Sequence, residues 1–250
     1  MNRMRTALAG LGVAATLVMA PAANATPLHD AERTPPAASP LPVTTASPLP
    51  VTDIAPGPVG APAPPEPCTG EFGGDARLGP EYLPRTWQKP VGPLLKGYHR
   101  TGRLSPSAFL KKYWEGPADS GSWKYPPNDG FAEVNGELDK KATELRTGEK
   151  LDRFGSEYGG YLAPAGDAYA RRALPPQNLS TREPAVPCDY RVYRVVKPFS
   201  VWQGSIAPWF EQPGRGQQIK LDPVFLDPGE GLRLNVKWLL DHGYLVSASG

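Results

Sequence analysis

The chain has 250 residues, a length that allows one domain with a sizeable core plus tails. Its 32 prolines are unevenly distributed, which indicates that only part of the chain is compact. The formal net charge of +2 argues against nucleic acid or a membrane as a partner.

The first 25 residues have the pattern of a secretory signal peptide. Arg3 and Arg5 form a positive start, residues 7–20 are apolar, and small residues at 23–25 resemble a cleavage site. The apolar run is too short for a spanning helix. We therefore expect a secreted protein that has no membrane contact once residues 1–25 are removed.

Residues 26–67 predict a disordered linker. Pro, Ala, Thr, Ser and Val dominate this segment, and PLPVT occurs at both 40–44 and 48–52. Such a composition cannot bury enough apolar surface to offset the chain entropy lost on folding. The folded domain is expected at 68–250.

Cys68 and Cys188 are the two cysteines of the chain. Export favours a disulfide between them, although two separate thiols are the alternative. A cysteine nucleophile is disfavoured because both cysteines stand beside prolines and no histidine is near either one in sequence.

Within the domain, the sequence predicts short strands and two helices. Ser105 before Pro106 marks the start of the first helix, and the second covers residues 234–240. Strands are predicted at residues 150–154, 158–162, 190–196, 199–203 and 217–221. The fold class is α+β, with a compact, mainly antiparallel β core and a few peripheral helices. The sequence lacks βαβ alternation and the glycine-rich fingerprint of a Rossmann NAD site.

Two segments are unusually rich in glycine, aromatic and polar residues. We name residues 151–164 the first dense segment and residues 208–218 the second dense segment. Glycine allows a ligand to approach the backbone, arginine suits phosphate, aromatic rings stack on flat rings, and amides can bind sugar hydroxyls. Together these groups describe a nucleotide site. Tight turns with buried aromatic residues are the alternative.

Familiar hydrolase motifs do not occur in this sequence. It has no His-Glu-x-x-His, no paired-cysteine zinc motif and no Gly-x-Ser-x-Gly. His29, His99 and His242 all lie outside both dense segments. A mechanism that depends on histidine is therefore not expected, and His242 is predicted to end the second helix.

Several motifs, in the same order, resemble the tuberculosis necrotizing toxin family. They are YPPNDGF at 125–131, DRFGSEYGGY at 152–161, RALPP at 172–176 and APWFEQPGRGQQ at 207–218, within a resemblance that covers about residues 123–245. The resemblance implies a β-rich core distantly similar to ADP-ribosyltransferases. It also implies a secreted NAD glycohydrolase that uses NAD as substrate, without a cofactor or metal. Because the family includes toxins, a toxic role and an immunity protein as partner are further expectations.

The resemblance also implies site residues. Arg153, Tyr161 and Gln218 match the functional arginine, tyrosine and glutamine of the family, with Gln217 as a competing assignment. We expect Arg153 to position the pyrophosphate or ribose, Tyr161 to wall the nicotinamide pocket, and Gln218 to hold ribose hydroxyls or water. The further candidate substrate contacts are Phe154, Gly155, Ser156, Glu157, Arg191, Trp209 and Phe210.

Some of these candidates have a structural alternative. Trp209 and Phe210 would serve equally well as core residues, and Glu157 as a salt-bridge or turn residue. The family's histidine is absent between the two dense segments, and Arg191 is a candidate to replace it. Two rival functions remain open: an ADP-ribosyltransferase, and a non-catalytic module that binds a nucleotide or a protein, for which the missing histidine is the best support.

Overall fold

A computed structural model describes residues 63–249. The predicted signal peptide and residues 26–62 of the predicted linker lie outside the described residues. In the part that is described, no helix is long and apolar enough to cross a membrane.

Two α-helices and eleven strands occur among residues 63–249. The helices are α1 (Pro106–Tyr113) and α2 (Val236–Asp241). The strands are β1 (Trp114–Glu115), β2 (Ser122–Trp123), β3 (Glu133–Val134), β4 (Glu137–Leu138), β5 (Lys141–Leu145), β6 (Lys150–Phe154), β7 (Tyr161–Pro164), β8 (Tyr190–Val195), β9 (Phe199–Ser205), β10 (Gln217–Lys220) and β11 (Leu245–Ala248).

The main sheet has seven strands in the order β11-β8-β6-β7-β10-β9-β5, and every neighbouring pair is antiparallel. Two small antiparallel pairs, β1-β2 and β3-β4, complete the strands. The predicted α+β class with a mainly antiparallel core is confirmed.

Each helix begins after a residue whose side chain accepts a hydrogen bond from a backbone amide of the first turn. The Ser105 hydroxyl accepts a hydrogen bond from the Ala108 amide at 3.2 Å, with Pro106 at the first helical position. The Asn235 side chain accepts one from the Trp238 amide at 2.8 Å. Each cap satisfies an amide that has no partner inside its helix, which fixes where the helix begins.

The predicted strands differ from the observed ones in two respects. The strand predicted at 158–162 begins only at Tyr161, because the Gly159 amide bonds back to the Ser156 carbonyl in a turn. Six strands were not predicted: the two-residue strands β1 to β4, and β5 and β11, which form the two edges of the main sheet.

The main core lies between the sheet and α2. Apolar side chains from the central strands meet the buried residues Val236 and Leu239 of the helix. This contact holds α2 against the sheet, since the hydrophobic effect favours the mutual burial of these side chains.

A second core cluster contains the disulfide. Cys68 and Cys188 are bonded, with their Cα atoms 5.0 Å apart, so the predicted disulfide is confirmed. Both cysteines are buried and pack in one cluster with Phe154 and Tyr169. The disulfide therefore ties the start of the described chain to the cluster that supports the end of β6.

Candidate active site

A cleft of about 470 Å³ opens at the centre of the main sheet. Its walls come from β6, β7 and β10, and from two loops at residues 125–130 and 172–178. The volume lies in the range of small-molecule sites. Arg153, Tyr161 and Gln218 all line it, so the fold brings the three predicted catalytic residues together.

Strand pairing explains why residues distant in sequence meet here. In the ladder between β6 and β7, Asp152 lies opposite Ala163. In the next ladder, Tyr161 lies opposite Lys220 of β10. Because β6, β7 and β10 are neighbours, side chains from all three reach one cleft.

Arg153 is a half-buried cation held by backbone groups. Its Nε donates to the Ser156 carbonyl at 2.7 Å and its Nη1 to the Tyr161 carbonyl at 2.5 Å. Among residues 63–249, it forms no ion pair and its Nη2 has no hydrogen-bond acceptor. Burial lowers the pKa of the guanidinium. A partly desolvated cation with a free donor is suited to bind an anionic group of a ligand.

Arg172 is the second arginine of the cleft and has its charge fully matched. It forms a buried bidentate pair with Asp152, in which Nη2 lies 2.8 Å from Oδ2. The same carboxylate also accepts from the Tyr190 hydroxyl at 2.8 Å and the Gly166 amide at 3.0 Å. With all these donors in place, Asp152 and Arg172 form a rigid part of the cleft wall.

Gln218 links the sheet to the loop at residues 125–130. Its Nε2 donates to the Asp129 carbonyl at 2.9 Å. Gln217, one residue away on β10, does not line the cleft, and its backbone N–H donates to the Asp167 carboxylate at 3.2 Å. Because neighbouring residues of a strand point to opposite faces, Gln218 is the glutamine of the cleft.

Tyr161 faces a small charged group at one end of the cleft. The Asp129 carboxylate lies 3.1 Å from the Lys220 ammonium and 3.6 Å from that of Lys140. Burial raises the pKa of the Tyr161 phenol, the nearby Asp129 adds to this effect, and Lys220 opposes it. The cleft thus has the Arg153 cation without a carboxylate partner among residues 63–249 and, separately, an Asp129 carboxylate near Tyr161 that is paired with two lysines.

The other candidates from the first dense segment lie in different places. Phe154 lines the cleft. Gly155 lies beside the Arg153 guanidinium, and Ser156 contributes its carbonyl to that group. Glu157 does not line the cleft; it accepts from the Tyr193 hydroxyl at 3.2 Å.

Arg191 also lies outside the cleft lining. It is the cross-strand partner of Arg153 but pairs with Asp189 at 2.9 Å and Glu183 at 3.2 Å. Glu157 is a further carboxylate neighbour, at 3.9 Å. These carboxylates neutralise the guanidinium of Arg191, the residue that was expected to replace the family's histidine.

Trp209 and Phe210 pack in an aromatic cluster rather than in the cleft lining. Phe210 is 1% exposed, and its ring centroid lies 5.1 Å from that of Tyr113 and 5.4 Å from that of Trp123. The Trp209 indole donates to the Lys124 carbonyl at 2.6 Å. The structure therefore favours the alternative in which Trp209 and Phe210 serve in packing and do not contact the substrate.

Sequence reasoning did not select several residues of the cleft. Tyr125 and Asp129 come from the loop at 125–130, and Arg172 and Asn178 from the opposite loop. The first three lie within motifs that carry the family resemblance, so the signal was present. Asn178 lies outside those motifs, and its side chain reaches the Phe154 carbonyl at 3.3 Å only through the fold.

Neither described histidine lines the cleft. The His99 carbonyl accepts from Gln212 at 2.7 Å, and His242 stacks on Trp238 at the end of α2, with 3.9 Å between ring centroids. His29 lies outside the described residues. Within residues 63–249, no group of three or more His, Cys, Asp or Glu side chains is arranged to hold a metal ion.

Comparison with known proteins gives this cleft a context. The family model described as tuberculosis necrotizing toxin matches residues 144–248. A conidial surface nicotinamide adenine dinucleotide glycohydrolase of Aspergillus fumigatus is 44% identical over 190 residues, which cover 72% of this chain and 75% of the relative.

Two solved structures share a weaker likeness. One is tuberculosis necrotizing toxin with its immunity factor, 24% identical over 58% of this chain and 75% of the toxin, with a TM-score of 0.45. The other is Rhs1-CT with its cognate immunity protein, 13% identical over 48% of this chain and 85% of that chain, with a TM-score of 0.28. Scores this low add nothing to the argument about the site.

The fold and site define an antiparallel α+β protein with a partly cationic small-molecule cleft at the centre of its sheet. The chain belongs to the tuberculosis necrotizing toxin family.

Proposed function

We infer that this chain is a NAD glycohydrolase, which cleaves NAD to nicotinamide and ADP-ribose. The observation that carries the inference is the 44% identity with a NAD glycohydrolase over three quarters of that enzyme's length. The cleft agrees with this activity, because Arg153 offers a free donor and a positive charge to a diphosphate.

The reaction breaks the bond between the anomeric carbon of ribose and the nicotinamide nitrogen. Nicotinamide leaves with the bonding electron pair and becomes neutral, so it needs no proton from an acid. Water forms the new bond to the anomeric carbon and releases a proton. The barrier is the positive charge that develops on the ribose, as in other glycoside cleavage.

We assign Arg153 to the diphosphate of NAD. A guanidinium can present two N–H groups to a phosphate, and here Nη2 is the group that no described residue occupies. Arg172 is a poorer candidate, since its buried pair with Asp152 already uses its charge. A fixed diphosphate would hold the scissile bond in one place.

The other cleft residues are assigned by their surroundings. Tyr161 is 39% exposed and presents a flat ring to the cleft, which suits the wall of a nicotinamide pocket. Gln218 keeps its carbonyl oxygen available for a ribose hydroxyl or the attacking water, while its Nε2 holds the loop at Asp129. Phe154 offers apolar contact at the supported end of β6.

The place of action is proposed to be outside the cell that makes the protein. The disulfide between Cys68 and Cys188 suits an oxidising compartment, and the Aspergillus relative is a conidial surface enzyme. Secretion in soluble form and a toxic role are finer proposals. An immunity protein as partner is a proposal too, which rests on membership of the family whose namesake, tuberculosis necrotizing toxin, was solved with its immunity factor.

Nicotinamide release by the full chain, produced under oxidising conditions, tests the proposed function. We expect equal amounts of nicotinamide and free ADP-ribose from NAD. Arg153→Ala should lower kcat/KM about 100-fold, because a charge-assisted contact to the diphosphate is lost. The matched control is Arg194→Ala on neighbouring β8, where the arginine is exposed and outside the cleft.

Three outcomes would contradict the proposal in different ways. ADP-ribose found on a protein would identify a transferase. NAD binding without nicotinamide release by the folded protein would identify a binding module. Wild-type rates in folded Arg153→Ala would leave the activity intact but remove Arg153 from the site.

A further inference from the structure

We propose that the Ser156 and Tyr161 carbonyls, together with the space at Gly159, form a backbone cradle that holds Arg153, and that Gly159 is a positioning residue in it. This inference rests on the proposed function, in which Arg153 binds the diphosphate of the substrate. In this proposal Gly159 makes room for the Arg153 side chain and does not itself contact a ligand.

Two carbonyl groups form the polar part of the cradle. The Ser156 carbonyl accepts from Nε at 2.7 Å and the Tyr161 carbonyl accepts from Nη1 at 2.5 Å. Both acceptors are neutral, so they orient the guanidinium without cancelling its charge. In this position Arg153 lines the cleft, and among residues 63–249 its charge has no carboxylate partner and its Nη2 has no acceptor.

Gly159 supplies the space in which the guanidinium lies. A Cβ atom at this position would be 2.9 Å from Nη1 of Arg153, and closer still to Nη2 and Cζ. Real Cβ atoms do not approach other heavy atoms so closely. An alanine at residue 159 and the observed position of the guanidinium are therefore mutually exclusive.

The backbone at Gly159 is fixed, so the arginine is the group that must yield. The Gly159 carbonyl accepts from the Val236 amide at 3.1 Å, which ties the cradle to the first residue of α2. Val236 is fully buried in the main core. A flexible side chain end moves at lower cost than a backbone anchored to such a core.

The neighbouring glycines show that space is the requirement at residue 159. Gly159 does not have a positive φ angle, so alanine is compatible with its backbone, whereas Gly155 has a φ of 122° and needs glycine for its conformation. At Gly160, an added Cβ would meet its nearest atom, the Leu234 carbonyl oxygen, at 3.7 Å, an ordinary contact. Gly160 is therefore a matched control.

The experiment compares Gly159→Ala, Gly160→Ala, Arg153→Ala and the double variant Arg153→Ala/Gly159→Ala in the full chain. We expect Gly159→Ala to lower kcat/KM for NAD at least about tenfold with a nearly unchanged Tm, and Gly160→Ala to stay within about twofold of wild type. In the Arg153→Ala background, Gly159→Ala should cause no further loss, since it acts only through the missing guanidinium.

The double variant separates positioning from a general structural role. Independent losses that multiply in the double variant would overturn the proposal, and so would an unchanged kcat/KM or an unfolded protein in Gly159→Ala alone. If the wild-type chain releases no nicotinamide, the proposed function has failed. Binding of ADP-ribose, measured by calorimetry in the same four variants, then tests the cradle, which predicts the same order of effects.

Discussion

The two dense segments have similar compositions but different positions in the fold. The first dense segment, residues 151–164, lies on β6 and β7 at the centre of the sheet and contributes several residues to the cleft. The second dense segment, residues 208–218, contributes only Gln218. Its aromatic residues pack near α1 instead. Glycine, aromatic and arginine content therefore does not distinguish a substrate site from a tightly packed turn.

The difference follows from where each segment meets the sheet. Both strands that flank the turn of the first dense segment are central, so their side chains meet in one place. The second dense segment crosses the aromatic cluster as a loop before it enters β10 at its last two residues. Within the second dense segment, the residue that lines the cleft is therefore Gln218, which lies on β10.

The largest effect on stability is expected at Phe210, where the second dense segment packs in the aromatic cluster. Phe210→Ala should lower the free energy of unfolding by about 3–5 kcal/mol, because it leaves a cavity among the aromatic rings. Denaturant titration measures this loss. The control Tyr158→Ala removes an aromatic ring that is 70% exposed, in the first dense segment, and should change stability by less than about 0.5 kcal/mol. Unchanged stability with lost NAD cleavage would make Phe210 a substrate contact instead.

An intermediate effect is expected at the two glutamines. Gln218→Ala should lower kcat/KM for NAD about tenfold, since it removes the cleft amide and its bond to the Asp129 carbonyl. Gln217→Ala should remain within about twofold of wild type. The reverse order in a nicotinamide-release assay would show that the wrong face of β10 has been assigned to the substrate.

The smallest effect is expected at Glu211, which the structure assigns to the link with α1. Its carboxylate accepts from Lys112 at 2.7 Å and from the Tyr113 hydroxyl at 2.9 Å. The Lys112 bond chiefly holds the pKa of Glu211 below its usual value. Glu211→Gln should cost less than about 1 kcal/mol at pH 7.

The pH dependence gives this prediction its sign. A lowered folded-state pKa means that the stabilisation is complete above the usual glutamate pKa and is lost as pH falls through the lowered value. The stability difference between wild type and Glu211→Gln should therefore shrink in acid. A difference that grows in acid would contradict the assigned pairing with Lys112.

The central strands were predictable from sequence and the edge strands were not. Strand β8 combines β-branched and aromatic residues, which is the usual strand signal. The edge strand β5 (Lys141–Leu145) carries charged residues at two of its five positions, Lys141 and Glu144, and lacks that signal. Charged side chains on an edge strand protect the sheet from pairing with other chains. The same charges interrupt the apolar pattern by which a strand is recognised in a sequence.

The site was predictable only where a residue's role depends on its own chemistry. Arg153, Tyr161 and Gln218 do meet in one cleft, as the family resemblance implied. The availability of Arg153 and the neutralisation of Arg191 could not be predicted, because both depend on how nearby side chains turn in the fold: Asp189 pairs with Arg191, and no described carboxylate pairs with Arg153. Sequence shows which residues carry charge, while the fold decides which charges remain uncompensated.

The disulfide between Cys68 and Cys188 links the integrity of the cleft to the redox state of the surroundings. It spans 120 residues of sequence and packs with Phe154, a residue of the cleft. Closing a loop of this size restricts the unfolded chain and contributes about 4–5 kcal/mol on the chain-entropy model. Since the cytosol keeps thiols reduced, the bond forms only in an oxidising compartment. Under the proposed action outside the producing cell, the cleft gains this stability where the protein works and lacks it beside the NAD of the cell that makes it.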